Sequence, residues 1–214
     1  MTKLILASAS PRRIEMFKNA GYDPVVMPAS IIEEISPGAS PAEATMSLAM
    51  QKAMAVRDSY LASEGVLSDD TVIVAADTVV VLDGQIIGKP LDENEAFATL
   101  SSMRSRSHHV ITGCCILRSL GLRNSGCTSH QAAPSVCETA PSDWETISFY
   151  EDTEVWFKDF TDRELLDYVK TSEPYDKAGG YAIQGTFGKY VDHIEGDFDN
   201  VVGLPFSRVE SYLK

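Results

Sequence analysis

Asp77 is an acid inside an otherwise apolar run, Val72-Ile73-Val74-Ala75-Ala76-Asp77-Thr78-Val79-Val80-Val81. A carboxylate there is costly to bury unless it is paired, hydrogen-bonded or bound to a metal. Held at a kink in a strand, it could bind Mg²⁺ or take a proton from water. A structural Asp paired with a lysine, or one on a bulge facing solvent, fits the same pattern. Lys89 follows in Ile87-Gly88-Lys89-Pro90. A hairpin would return it near Asp77, where it could touch phosphate or shift the acid's pKa. Lys52 lies among Leu48, Ala49, Ala53 and Val56, on or beside an apolar helix face. It either snorkels or points into a cleft. Glu33 or Glu34 could supply a second metal-binding carboxylate, although adjacent acids also suit a solvated loop.

A second group of residues suits an anion. Leu4 to Ala7 read as a buried strand that runs into Ser8-Ala9-Ser10-Pro11-Arg12-Arg13. The small residues allow a close approach of backbone to ligand. Ser10 is placed as an N-cap, Pro11 as the first helical residue, and Glu15 in the first turn. A helix N-terminus presents free N–H groups and the positive end of a dipole. Two arginines add forked donors matched to phosphate oxygens. A capped surface helix with solvated arginines is the alternative reading of the same residues.

A third stretch, Glu173-Pro174-Tyr175-Asp176-Lys177-Ala178-Gly179-Gly180-Tyr181-Ala182-Ile183-Gln184-Gly185, pairs glycines with a side-chain amide. The glycines permit close approach to a flat ligand. Gln184 offers a donor and an acceptor to the edge of a base. A plain glycine-rich turn accounts for the same residues. The four histidines, His108, His109, His130 and His193, have no metal or triad spacing, and no G-x-S-x-G elbow is present.

These groups need elements to carry them. Strands are expected at 3–7, at 24–27 and at 71–82, the last interrupted by Ala75-Ala76-Asp77-Thr78. Asp83-Gly84 is a hairpin turn with a return strand over 85–88. Further strands are expected at 109–117, 146–157, 181–183 and 190–194. Helices are expected at 11–20, 41–62 and 92–103, and at the end from Pro205 to Leu213. Another helix is capped by Thr161 and runs to Val169, with Glu164 completing a capping box. Residues 31–37 form an acidic loop. The 119–144 segment, rich in Gly, Ser, Pro and Cys, reads as an exposed or partly disordered insertion. The alternation predicts an α/β fold with a mixed sheet and flanking helices.

The whole chain narrows the classes of function. It has 214 residues, enough for one large domain or two small lobes, with 44% hydrophobic and 23% charged residues. Lys+Arg is 18 against Asp+Glu 31, a net charge of −13, which disfavours a nucleic-acid polymer as partner. A single nucleotide in a local basic pocket remains compatible, especially with a divalent cation. No apolar run is long enough to span a bilayer, so no membrane association is expected. The N-terminus lacks a secretory pattern. The four cysteines (Cys114, Cys115, Cys127, Cys137) form no CxxC. Reduced thiols and a cytoplasmic location are expected. A zinc site from Cys127, His130 and Cys137 is conceivable but does not follow the usual ligand spacings.

Taken together, the motifs resemble the Maf family of nucleotide pyrophosphatases, also called septum-formation inhibitor proteins. The resemblance rests on Ser8-Ala9-Ser10-Pro11-Arg12-Arg13, Glu33, Lys52, Ala76-Asp77-Thr78, Gly88-Lys89-Pro90, Asp176 to Tyr181 through Gln184-Gly185, and Val202-Gly203-Leu204-Pro205. It covers nearly the whole chain apart from 119–144. It implies a single domain over 1–214 with two lobes around a cleft, similar to the inosine-triphosphate pyrophosphatases. It also implies hydrolysis of nucleoside triphosphates to monophosphate and pyrophosphate with Mg²⁺ or Mn²⁺. On that likeness Asp77, Lys52 and Lys89 are the catalytic residues, and Glu33 and Asp77 the metal-associated acids. Ser8, Ser10, Arg12, Arg13, Thr78, Asp176, Lys177 and Gln184 are substrate-binding. The motif forms are similar to the branch acting on dTTP and UTP. Two other readings stay open: a nucleotide-binding regulator of division, and a 7-methyl-GTP pyrophosphatase. A nucleoside triphosphate is the expected partner, and a homodimer is left open.

Overall fold

The computed structural model describes residues 3–64, 71–120 and 144–214. β-Branched apolar runs form the strands of one seven-stranded mixed sheet: β1 (Lys3–Leu6), β2 (Val25–Val26), β3 (Thr71–Leu82), β4 (Gln85–Ile87), β5 (Ser107–Ser119), β6 (Trp144–Phe157) and β7 (Val191–Glu195). The order is β2-β1-β3-β5-β6-β7, with β4 also on β3. β1 pairs with β2 and β3 in parallel, and the other pairs are antiparallel. The helices are α1 (Pro11–Asn19), α2 (Pro41–Glu64), α3 (Glu93–Met103), α4 (Asp162–Val169), α5 (Phe198–Val202) and α6 (Phe206–Ser211).

β3 is a continuous strand, so the expected interruption at 75–78 is not in its backbone. The break is in its pairing. On one side β3 is fully matched to β5, with Asp77 opposite Gly113. On the other side β1 pairs only as far as Leu6 with Val74, and β4 begins only at Ile87 with Val80. Among the described residues no strand pairs with this edge of β3 between those two points.

Alternation along β3 sends its side chains to two differently built faces. Ile73 and Ala75 pack with Ala49, Ala53 and Val56 of α2, and Asp77 points the same way. On the opposite face Val72, Val74 and Ala76 pack with Phe17, Leu204 and Val209. Further along, Val80 and Leu82 join a separate core with Leu100, Leu165 and Phe187. Thr78 falls between these two cores. Its hydroxyl lies 2.9 Å from that of Thr112, its partner on β5, and Thr112 donates to the Asn200 carbonyl at 3.3 Å. Asn200 is fully buried and donates to the Val110 carbonyl and to Thr153 Oγ1, both at 2.9 Å. A polar seam therefore divides the two apolar cores on this face.

Local expectations hold at the Asp83-Gly84 turn and at the α4 cap, and fail at the start of α1. Asp83 and Gly84 both have positive φ, 52° and 75°, as a two-residue hairpin of primed type requires. Thr161 and Glu164 form the reciprocal capping box of α4. Ser10 is at the N-cap of α1 but makes no side-chain cap bond, and Glu15 lies outside the first turn. Residues 181–183 are not a strand: the chain from Pro174 to Tyr190 is built of short 3₁₀ turns. Gly179 and Gly180 both take positive φ there, within the turns. Ser119 and Trp144, the ends of the expected insertion, are paired rungs of β5 and β6. The rest of that segment, with Cys127, His130 and Cys137, lies outside the described residues.

Candidate active site

The unpaired edge of β3 opens on a cavity of about 420 Å³. Ser10, Arg12, Arg13, Lys52, Asp77, Thr78, Lys89, Asp176, Lys177 and Gln184 all line it. Three stretches far apart in sequence are thus brought to one place. The parallel β1 ends at the gap, so the turn 7–10 and the start of α1 sit over it. β4 runs back along the same edge and delivers Lys89. The 3₁₀ segment forms the facing wall, fixed by the hydrogen bond from Gly179 N to Gly88 O at 3.0 Å. Residues from both faces of β3, Asp77 and Thr78, reach the cavity.

Asp77 is paired. Lys52 Nζ lies 2.5 Å from Asp77 Oδ1 and 2.8 Å from Glu33 Oε1. The Lys52 and Asp77 side chains are only 18% and 16% exposed, against 49% for Glu33. Lys52 is carried by α2 one turn beyond Leu48 and one turn before Val56, both buried, so its stem follows the apolar face into the cleft. Glu33, not Glu34, makes this contact. Gln51 holds the Glu34 backbone, accepting from its N at 3.2 Å and donating to its O at 2.6 Å, and so presents Glu33 to Lys52. Glu33 does not line the cavity itself.

The arginines differ from each other. Arg12 makes one hydrogen bond, Nε to the Val202 carbonyl at 3.3 Å, and its terminal amino groups have no protein acceptor among the described residues. Arg13 is partly buried and bonded to three segments. Burial pulls its pKa below the ordinary arginine value, and nearby Asp77 opposes that shift. Ser8 is buried and does not line the cavity. Its Oγ accepts from Ser10 N at 3.2 Å and from Arg13 Nη1 at 3.3 Å, so it closes the turn.

On the opposite wall Lys177 Nζ is 2.5 Å from Asp176 and donates to the Glu173 carbonyl at 2.6 Å. Partial burial would raise the Asp176 pKa, but the Lys177 hydrogen bond and charge, with a contribution from Arg12, hold it below the usual aspartate value. Val80, Val110, Tyr181 and Ile183 give this end an apolar lining beside Gln184. The cavity therefore has a cationic end, a carboxylate at the sheet edge and a partly apolar end with one amide. In a chain of net charge −13, Arg12, Arg13, Lys52, Lys89 and Lys177 outnumber the Asp77 and Asp176 carboxylates in this cavity, a charge balance suited to an anion.

Sequence reasoning missed Gly113, Thr112 and Asn200. Gly113 had a readable sign, an isolated glycine within a strand pattern, which marks a close backbone approach. Thr112 and Asn200 had none, because their roles depend on pairing across distant segments.

No group of three or more His, Cys, Asp or Glu among the described residues is arranged to hold a metal unaided. Glu33 and Asp77 nevertheless converge on one cation, and two hard carboxylates completed by water and phosphate oxygens suit Mg²⁺ or Mn²⁺. Cys114 and Cys115 are buried, and burial raises both thiols to about 12, so neither is a nucleophile at neutral pH.

Comparison with known proteins finds relatives over nearly the whole chain. A protein from Thermoanaerobacter sp. (strain X514) named dTTP/UTP pyrophosphatase is 38% identical over 212 residues, covering 99% of this chain and 95% of that protein. Proteins of the same name from Desulfitobacterium hafniense (strain Y51) and Bacillus cereus (strain AH820) are 39% and 37% identical. They cover 98% and 100% of this chain and 83% and 95% of their own lengths. The family model described as Maf-like protein matches residues 3–214, and the chain belongs to that family.

Proposed function

We propose that this protein hydrolyses dTTP and UTP to the monophosphate and pyrophosphate, clearing nucleotides from the cytoplasmic pool. The observation that carries the reading is Asp77, a carboxylate held at a gap in the sheet, paired with Lys52, in a cavity that Arg12 and Lys89 also line. The names and near-complete coverage of the relatives supply the substrate class.

In this reading Arg12, Lys89 and the turn before α1 hold the triphosphate. Asp77 takes a proton from the water that attacks the α-phosphorus, the bond to the bridging oxygen breaks, and pyrophosphate leaves. Lys52 moves from between the carboxylates toward the phosphates and offsets charge as it develops. Glu33 and Asp77 would hold a divalent cation, which when bound neutralises phosphate charge and acidifies water. Gln184 faces the edge of the pyrimidine, and Val80, Val110 and Tyr181 its apolar faces. The two cores divided by the Thr78–Thr112–Asn200 seam support a single domain of two lobes with the cleft between them.

The test is a substrate panel of dTTP, UTP, other canonical triphosphates and 7-methyl-GTP with Mg²⁺ and separate detection of pyrophosphate and orthophosphate. Pyrophosphate release, fastest with dTTP and UTP, is the expected result. Orthophosphate as the first product overturns the bond assignment, and a preference for 7-methyl-GTP overturns the substrate assignment.

A further inference from the structure

Arg13 spends its donors on the protein. Nε donates to the Gly203 carbonyl at 2.7 Å. Nη1 donates to the Ala76 carbonyl at 2.7 Å and to Ser8 Oγ at 3.3 Å, and Nη2 to Thr78 Oγ1 at 2.9 Å. A guanidinium carries five N–H donors. Four are committed here, and a bidentate grip on phosphate needs two parallel ones. The acceptors come from the turn after β1, from β3, and from the loop between α5 and α6. Two of them, Ala76 and Thr78, flank Asp77 directly, at the stretch of β3 where neither β1 nor β4 supplies a partner.

We infer that Arg13 is a positioning residue and not a phosphate ligand. Its guanidinium stands in for the missing strand beside Ala76–Thr78 and fixes Asp77, while Arg12 meets the substrate. This rests on the hydrolase reading above. Three features support the division of labour. Arg13 is bonded to three segments at once, whereas Arg12 makes one long hydrogen bond and keeps both terminal amino groups free of protein acceptors among the described residues. The Gly203 carbonyl, which accepts from Arg13, also lies 3.3 Å from Thr78 Oγ1, so the contacts gather into one network. Gly203 has a φ of 129°, a conformation that L side chains rarely adopt, so the carbonyl is presented by a backbone suited to glycine. Lysine cannot reproduce this arrangement, because one ammonium nitrogen does not reach acceptors spread around a planar fork.

Arg13→Lys and Arg12→Lys separate the roles. With UTP and Mg²⁺, Arg13→Lys should lower kcat about tenfold or more through misplacement of Asp77, with KM and calorimetric affinity for pyrophosphate within about twofold of native. Arg12→Lys should chiefly weaken pyrophosphate and raise KM. Equal loss of pyrophosphate affinity in both variants overturns the inference. Should Arg13→Lys fail to fold, Thr78→Val removes one acceptor and should give the same loss confined to kcat, with Thr78→Ser recovering most of it. An effect of Thr78→Val on KM alone, or none, overturns the inference as well. A further measurement needs no turnover. In the free native protein the Arg13 Nε–H should exchange slowly with solvent by NMR and stay in place on adding pyrophosphate, while the Arg12 signal moves. A fast-exchanging Arg13 Nε–H overturns the tether whatever the enzyme's activity. A native protein that releases no pyrophosphate from any nucleotide overturns only the hydrolase reading, because the exchange rate still reports the tether.

Discussion

Gly113 lies directly across the β3–β5 ladder from Asp77, and α2 crosses it so closely that a Cβ there would stand 2.3 Å from the Thr45 carbonyl carbon. Lys52 follows Thr45 by about two turns of the same helix. The missing side chain at 113 thus sets the depth at which α2 seats, and with it the reach of Lys52 to Asp77. Gly113→Ala should push α2 outward, cost about 1–3 kcal/mol as an overpacking change, and lower kcat. Urea unfolding with parallel kinetics checks this. Native stability and native kcat together would show that α2 has more freedom than the backbone contact allows.

Asp77→Asn keeps the size of the side chain and removes the carboxylate. Lys52 retains Glu33 as a partner, so the fold should survive. Turnover should fall by about 10²–10⁴, the usual contribution of a positioned base. Thermal unfolding and pyrophosphate release, measured on one preparation, distinguish loss of chemistry from loss of structure.

Chelation of divalent cations should abolish turnover and leave the thermal unfolding of the nucleotide-free protein nearly unchanged, because Lys52 already bridges Glu33 and Asp77 there and offsets part of their charge. Glu33→Gln should raise the Mg²⁺ concentration for half-maximal rate by about tenfold or more. A Mg²⁺ dependence identical to native would remove Glu33 from the metal site.

His108 sits in the core, 1% exposed, with Nε2 at 2.6 Å from the Tyr181 hydroxyl. Burial, with a smaller effect of neighbouring His109, lowers its pKa to about 4 from 6.5. The folded state therefore binds this proton less readily than the unfolded chain, and between those two pKa values unfolding takes up a proton. Stability from this group is full above pH 6.5 and is lost progressively down to about pH 4, by at most about 3 kcal/mol. Urea unfolding at pH 7 and pH 5 should show the fall, and His108→Phe should flatten it. The slope surviving unchanged in that variant would assign it to other groups.

Much of this was legible in the sequence where the physics is local. Asp83-Gly84 reads as a primed turn because few other residues tolerate positive φ at two successive positions, and Thr161 with Glu164 reads as a cap because both partners lie within one turn. Asp77 stood out because an acid within an apolar strand is costly wherever the strand goes. What escaped depends on partners remote in sequence. Nothing in Ala75-Ala76-Asp77-Thr78 says that β1 stops one rung short of it, so a gap in pairing was read as a break in the strand. Arg12 and Arg13 look alike until Gly203, Ala76 and Thr78 are known to surround only one of them. The apolar pattern of Tyr181-Ala182-Ile183 suits a strand or a buried turn equally, and no local signal separates the two.

The strand-free stretch of β3 also bears on solubility. An exposed sheet edge is a template on which another chain can add a strand and begin aggregation. Here the vacancy spans only the few residues between the rungs at Val74 and Val80, with β1 and β4 standing at its two ends. An intruding strand would collide with both, and the Ala76 carbonyl it would need already accepts from Arg13. The same arrangement that leaves room for a small polyanion thus denies it to a polypeptide, and the protein can keep an open edge at its working centre without becoming sticky.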